Sequence, residues 1–133
     1  MRYQVHFWIL SLALPLSRSP AYAHHSFAAE YNSDKPVQIT GTVTKVEWTN
    51  PHVHFYVDVK NNQGEVVNWN IELGPPLILR HLGWRQDSLK TGDQVTVEGY
   101  LAKDQSNLAN AKKVTLADGR SVFVGSSAEK RGE

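Results

Sequence analysis

The sequence predicts a small all-β protein with one short helix, and three observations carry that prediction. Segments rich in β-branched and aromatic residues, in which apolar and polar types alternate, recur along the chain. Glycine, asparagine and aspartate separate these segments as turn signals. A single segment, which opens with prolines and closes at a glycine, has the pattern of a short helix.

The first strand is predicted at residues 37–48, VQITGTVTKVEW. Gly41 lies inside it, and an internal glycine is typical of a bulge or a sharp bend that curls a strand around a small barrel. Asn50 and Pro51 then interrupt the strand. The residue before a proline avoids the helical region, and proline donates no ladder hydrogen bond.

Residues 52–60 and 65–73 predict a hairpin around a turn at residues 61–64. Because side chains alternate across a strand, the first of these segments has one apolar and one polar face. The apolar face consists of Val53, Phe55, Val57 and Val59, and the polar face consists of His52, His54, Tyr56 and Asp58.

The remaining segments complete the order of a barrel. Residues 74–76, GPP, open a short helix that ends at Gly83, and a strand follows within residues 89–101. Two more strand candidates lie at residues 111–117 and 120–124. About five short strands with one helix between the third and the fourth is the order of an OB-type barrel of five to six strands. A generic sandwich is the alternative, but closure removes edges that a small domain without cysteine cannot protect.

An export signal is predicted at residues 1–23. An apolar run at residues 7–16 follows Arg2, and the small-residue pattern AYA, which ends at Ala23, marks a cleavage site. The run is half of the roughly 20 residues that span a bilayer. We therefore expect a periplasmic or secreted protein with no integral membrane segment in the mature chain. Retention of the leader as an anchor is the alternative.

Three parts are predicted for the mature chain. Residues 24–36 form an N-terminal arm without a clear period, from which Phe27 and Tyr31 are expected to pack onto the barrel. Residues 37–125 form the OB-like domain. Residues 126–133 lack large apolar side chains and are predicted to be a disordered tail.

Composition excludes several classes of function. The chain has no cysteine, which excludes disulfides, thiolate metal sites and cysteine nucleophiles. It has 14 Lys and Arg against 13 Asp and Glu, and residues 1–23 contain two of the basic residues and none of the acidic ones. A near-neutral mature chain has no general attraction to nucleic acid or to an anionic membrane, so neither is expected as a partner.

The residues at the cleavage site predict a metal site. Cleavage after Ala23 leaves His24 as the first residue, and its α-amine and imidazole offer two nitrogen donors in one chelate. His25 adds an imidazole, and His52 and His54 project from one face of a strand. Imidazole suits copper, zinc and nickel, and copper(II) binds most tightly in the divalent series. The predicted cofactor is therefore copper, with His24, His25, His52 and His54 as ligands.

Two alternatives stay open for these histidines. Cleavage after Ala21 would make His24 the third residue, a position that also chelates copper(II). Histidines near a terminus also bind copper weakly without biological meaning, and His52 can simply begin a strand.

A second hypothesis is a metal-free face for a glycan, a peptide or another envelope ligand. OB-type domains bind ligands across the second and third strands and the flanking loops. Trp48, Tyr56, Asn68 and Asn70 are predicted to line such a face, with Glu72 beside them. Trp48 is alternatively a packing residue. An enzyme is not predicted, because the sequence has no motif with paired carboxylates, a nucleophile with its base, or a phosphate loop.

The chain also resembles a family of small exported bacterial proteins of unknown function. The resemblance is carried by the segments HHSFAAEYN, TGTVTKVEWTNPHVHFYVDV, GDQVTVEGYLAKD and LANAKKVTLADGR. It implies an exported OB-type shape and no particular activity. The motif positions typical of that family are occupied by His24, His25, Asn50, Pro51 and His52. Two residues depart from its pattern: an aromatic or basic residue is usual at His54, and a glycine is usual at Gln105.

Overall fold

The computed structural model describes residues 27–124. The predicted signal peptide, His24, His25 and the predicted tail at residues 126–133 lie outside the described residues. Those expectations therefore stay predictions.

All described strands belong to one sheet that closes on itself. The elements are α1 (Phe27–Glu30), β1 (Tyr31–Glu47), β2 (His54–Lys60), β3 (Val66–Glu72), α2 (Pro76–His81), β4 (Gln94–Ala102), β5 (Leu108–Leu116) and β6 (Ser121–Val124). The strand order is β3-β2-β1-β4-β5-β6, and β3 also pairs in parallel with β5. This pairing of β3 with β5 closes β1 to β5 into a five-stranded barrel, and β6 pairs with β5 beside it. A helix between β3 and β4 completes the OB topology. The predicted fold class is confirmed.

Strand β1 begins at Tyr31 rather than at Val37, so part of the predicted arm belongs to the sheet. Tyr31 pairs with Ala102 of β4, and the ladder resumes at Pro36 after an irregularity. Tyr31 itself is 2% exposed, as expected of a residue that packs onto the barrel. The strand start was not predictable from alternation, because residues 32–35 lie in this irregularity and residues 33–36 are all exposed.

Gly41 is required by a close approach of two strands, which corrects the bulge that the prediction allowed at this position. The irregularity in the β1–β2 ladder lies between Val43 and Lys45. A Cβ at Gly41 would stand 2.2 Å from the carbonyl oxygen of Asp58 in β2. Only a residue without a side chain allows β2 to come that near.

The hairpin of β2 and β3 supplies the centre of the core. Its inward residues Val53, Phe55, Val57, Ile71 and Leu73 are at most 2% exposed. Helix α2 adds Leu79, which is fully buried, and Trp84 packs behind the helix end after Gly83, whose φ is +90°. The opposite, outward face of the hairpin therefore keeps its polar side chains, and the candidate site lies there.

Candidate metal and ligand-binding site

A buried carboxylate lies on the outward face where β3 meets β5. Glu72 is 8% exposed, although it points away from the core. The register of the parallel seam places it beside Asn110. The Tyr31 hydroxyl donates a hydrogen bond to Glu72 Oε2 at 2.7 Å, and Asn110 Nδ2 donates to Oε1 at 3.4 Å. Tyr31 and Asn110 therefore cover and hold the carboxylate.

The imidazole of His52 stands against this carboxylate. His52 precedes β2, and its Nδ1 atom lies 3.2 Å from Glu72 Oε1. Its side chain is 35% exposed, compared with 11% for the side chain of Glu72. One side of the imidazole thus faces a buried oxygen, while part of the ring stays open to solvent.

His54 has a similar arrangement with a neutral partner. Its Nδ1 atom lies 2.8 Å from the Asn70 side-chain oxygen. In the β2–β3 ladder His54 is opposite Glu72, and Tyr56 is opposite Asn70. The His54 imidazole therefore bonds to Asn70, which is the ladder partner of Tyr56 and not of His54 itself.

Tyr56, Asn68 and Asn70 share one outward face with His54, as the alternation predicts. The Tyr56 hydroxyl donates to Glu47 Oε2 at 3.0 Å. Asn68 Nδ2 donates to Asp58 Oδ1 at 2.8 Å. These polar groups are paired with one another along the face.

Trp48, which the sequence predicts on the same face, lies apart from it. The residue follows the end of β1, is half-buried and packs against the hydrophobic core. It turns inward because the chain leaves the sheet there, before the cis peptide bond between Asn50 and Pro51. Within residues 27–124, its indole Nε1 is buried and has no hydrogen-bond partner.

The start of the described chain packs against Tyr31 and the β4–β5 loop. Phe27 stacks on Tyr31 with ring centroids 5.4 Å apart, and it meets the edge of the Tyr100 ring at 5.5 Å. The Lys103 amide donates to the Glu30 carbonyl at 2.8 Å, which ties α1 to the β4–β5 loop. Phe27 therefore lies next to Tyr31, the residue whose hydroxyl bonds to Glu72.

Burial and neighbouring carboxylates shift two phenols in the same direction. Burial, and then the hydrogen bond to Glu72, raise the pKa of Tyr31 far above its ordinary value. Burial and the bond to Glu47 also raise the pKa of Tyr56. The pKa of the Glu47 carboxyl is lowered by its contacts with Lys45 and Tyr56. Both phenols thus stay neutral donors at neutral pH, each beside a carboxylate.

The described residues do not by themselves complete a metal site. Within residues 27–124, no three His, Asp or Glu side chains lie close enough together to hold a metal ion. His52 and His54 are described, whereas His24 and His25 lie two or three residues before the first described residue. A metal site built on His52 would need donors from outside residues 27–124.

Tyr31 and Asn110, the two residues that donate hydrogen bonds to Glu72, have no signal in the sequence that marks them as parts of a site. Asn110 lies just before the strand candidate predicted at residues 111–117, and its link to Glu72 depends on the parallel seam. Tyr31 is predicted to pack on the barrel, but not to bind a carboxylate 41 residues away.

The topology and the outward face define this chain as an OB-type domain with a polar cluster at its β3–β5 seam. The chain belongs to a family of unknown function, DUF6152, whose model matches residues 13–111. A search of curated proteins finds no match.

Solved structures similar to this chain include two crystal forms of the mitochondrial single-stranded DNA binding protein Rim1 from S. cerevisiae. One is 15% identical with a TM-score of 0.49, and covers 62% of this chain and 93% of that chain. The other is 17% identical with a TM-score of 0.48, and covers 62% and 92%. Within residues 27–124 no helix is both long enough and apolar enough to cross a membrane.

Proposed function

We propose that this protein is an exported, non-enzymatic binding protein that holds copper(II) between its processed N-terminal histidine and His52. The observation that supports this proposal is the environment of His52. A buried carboxylate lies 3.2 Å from its Nδ1 atom, while the side chain is 35% exposed. Imidazoles that bind metals commonly have a carboxylate or carbonyl at the second ring nitrogen.

The aromatic contacts of Phe27 support a site shared with the N-terminal segment. Phe27 stacks on Tyr31, and Tyr31 donates to the carboxylate that faces His52. His24 is three residues before Phe27, so their Cα atoms are at most about 11 Å apart. His24 is therefore held by the chain within this distance of Phe27, which itself contacts Tyr31.

The donor set favours copper over other divalent ions. The α-amine and imidazole of His24 with the imidazole of His52 give three nitrogen donors, and His25 offers a fourth. Nitrogen donors in a tetragonal arrangement suit copper(II), which also has the highest affinity in the divalent series. His54 is an auxiliary ligand in this proposal.

The proposal is tested on the protein exported and processed with its own leader. Mass spectrometry is expected to place its first residue at His24. Calorimetric titration with copper(II) is then expected to give tight binding of one ion. His24→Ala and His52→Ala should each weaken binding at least about tenfold, because even the loss of an outer-shell partner costs about 10- to 100-fold.

His81→Ala is the matched control, because His81 is an exposed histidine on α2 and is not a ligand in this proposal. Copper binding that responds equally to all three substitutions would contradict the proposal. So would a processed chain that begins well after His25.

A metal-free ligand face is the second candidate, and the polar row on β2 and β3 favours it. Tyr56, Asn68 and Asn70 form a continuous outward face that no other described element covers. Aromatic and amide groups suit a glycan or a peptide of the cell envelope. Nucleic acid is not the proposed ligand, because Lys45 is paired with Glu47 on this face and Asp58 lies beside it.

Titration with soluble peptidoglycan fragments separates the two candidates. Binding that is lost in Asn68→Ala and Asn70→Ala, and is indifferent to chelator and to His52→Ala, would support the ligand face. The copper site instead predicts copper(II) binding that is lost in His52→Ala and in the presence of chelator, and that is unchanged in Asn68→Ala and Asn70→Ala.

A further inference from the structure

We infer that the outward side of helix α2 is a docking surface for an anionic lipid bilayer. This surface, the α2 patch, consists of the apolar side chains of Leu77, Ile78 and Leu82 and the guanidinium groups of Arg80 and Arg85. The inference goes beyond the proposed function and does not depend on it, since none of these residues belongs to the proposed copper site or to the polar face of β2 and β3.

Helix α2 is apolar on two sides. Pro76 and Leu79 are buried against the barrel. Because successive helical residues are rotated by about 100°, Leu77 and Ile78 lie on the opposite side of the helix. They are 62% and 39% exposed, and Leu82, at the end of the helix, is 56% exposed. A helix that is apolar all round is normally covered on every side, so the outward side of α2 has the composition of a contact surface.

The exposed apolar side chains of the barrel are concentrated at this helix. Of the four large hydrophobic side chains that are exposed within residues 27–124, three lie at residues 77–82. The fourth is Val66 of β3, which is 57% exposed. Single apolar side chains on a surface are normal, whereas a group of neighbours marks an interaction site.

The charge of the same segment is positive. Residues 73–86 contain Arg80 and Arg85 and neither aspartate nor glutamate. Both arginines are exposed, and no ion pair joins either of them to another residue of the described chain. Arg85 is three residues after Leu82, so their Cα atoms are at most about 11 Å apart. Apolar side chains together with arginine are the combination by which interfacial segments bind anionic lipid.

A bilayer fits the α2 patch better than a second copy of the chain or another protein. In a twofold dimer the patch would face itself, so that Arg80 and Arg85 would meet like charges. A stable protein interface takes about 20–30 residues on each side, which is far more than the patch offers. A bilayer has no such minimum, because it accepts protruding apolar side chains and pairs each arginine with headgroup charge separately.

The groove beside α2 confines the contact to the helix. It lies between the end of α2 and the β5–β6 turn, and its wall carries Asp87, Asp93 and Asp118 together with Lys90 and Arg120. Three carboxylates against two cations give anionic headgroups no attraction there. Since the whole chain is also near neutral, the attraction to anionic lipid belongs to the α2 patch alone.

The experiment measures how the exported, processed protein, free of metal, partitions onto sedimented lipid vesicles. One set of vesicles has equal parts of phosphatidylcholine and phosphatidylglycerol, and the other has phosphatidylcholine alone. The wild type is expected to bind the anionic vesicles at least about tenfold more strongly, and added salt should reduce the difference. Arg80→Gln together with Arg85→Gln should remove most of it, at about fivefold for each arginine.

The apolar side chains are tested in the same way with matched controls. Leu77→Gln together with Leu82→Gln should weaken binding to the anionic vesicles at least about tenfold, because both side chains lose apolar contact. Val66→Gln is the apolar control, since Val66 is 57% exposed and Leu82 is 56% exposed. Arg120→Gln is the charge control, since Arg120 is an exposed arginine outside the patch. Both controls should leave binding nearly unchanged, and urea unfolding checks that every variant folds.

Three results would overturn the inference. The first is a wild type that does not bind the anionic vesicles. The second is binding that the patch variants keep at full strength, or that the controls lose equally, because the contact then lies elsewhere on the chain. The third is a dimer in sedimentation velocity that Leu77→Gln together with Leu82→Gln dissociates, because a second copy then covers the patch. None of these variants removes a proposed copper ligand, so the copper titration is decided separately.

Discussion

At the scale of single residues, Gln105 is held in a conformation that glycine adopts more easily. It lies in the β4–β5 loop with φ at +61°, and its amide donates to the Ala102 carbonyl at 3.0 Å. The left-handed region costs a residue with a side chain roughly 1–2 kcal/mol. Because glycine does not have this cost, a glycine at this position would fit the same turn better than Gln105 does.

We predict that Gln105→Gly raises the free energy of unfolding by about 0.5–1 kcal/mol. Removal of the left-handed penalty outweighs the greater freedom that glycine has in the unfolded chain. Urea unfolding followed by tryptophan fluorescence measures the difference. Gln105→Ala is the control, since alanine keeps the penalty and should leave stability nearly unchanged. Equal gains for both variants would show that strain at this residue is not the cause.

Tyr31 makes stability depend on pH at the alkaline end. Its pKa is raised by burial and by the bond to Glu72, while in the unfolded chain the phenol ionises near pH 10. A raised folded pKa means that the contribution is fully present below about pH 10 and is lost as pH rises further. The unfolding free energy should then fall by up to about 1.4 kcal/mol per pH unit from this one group.

We therefore predict that Tyr31→Phe flattens the alkaline fall of the unfolding free energy. Near neutral pH the same variant should be about 1–3 kcal/mol less stable, because Glu72 loses a hydrogen bond in a buried position. Urea titrations at a series of pH values measure both effects. Parallel pH profiles for the variant and the wild type would mean that Tyr31 ionises in the folded protein as it does in the unfolded chain.

At the scale of elements, the sequence predicts best where the pattern is local. The β2–β3 hairpin follows from strict alternation, and its inward residues are those expected. The start of β1 does not follow from alternation, since polar residues separate Tyr31 from the next ladder residue, Pro36. For the site, alternation places His52 and His54 outward. The burial of Glu72 is not local, because its covers are 41 and 38 residues away.

Helix α2 has one buried and one exposed leucine, which makes it a test of what the helix contributes. Leu79 is fully buried in the barrel core, whereas Leu77 is 62% exposed. We predict that Leu79→Ala lowers the free energy of unfolding by about 2–5 kcal/mol, through lost burial and the cavity that remains. Leu77→Ala should change it by less than about 0.5 kcal/mol.

Both variants remove the same atoms from the same helix, so helix propensity cancels in the comparison. The measurement is the urea midpoint together with the slope of the transition, which shows whether the two-state character is kept. A comparable loss in Leu77→Ala would mean that the exposed side of α2 is covered in the folded protein.

At the scale of the whole molecule, the N-terminal segment and the barrel depend on each other. The chain has no cysteine, so packing alone stabilises the barrel. Tyr31 extends the β1–β4 pairing and covers Glu72 at the β3–β5 seam. Through Tyr31, the described chain that begins at Phe27 thereby covers part of the outer surface of the barrel.

This dependence predicts a difference between two truncated proteins. A chain that starts at Val37 should be less stable than one that starts at His24, by about 3 kcal/mol or more. It loses a buried aromatic side chain, which costs about that amount alone, and it exposes the carboxylate of Glu72 on one side. Urea unfolding of both proteins without metal measures the difference and keeps copper out of the comparison. Equal midpoints would mean that residues 24–36 are a dispensable arm, and that their contacts with Glu72 and Lys103 contribute nothing to the barrel.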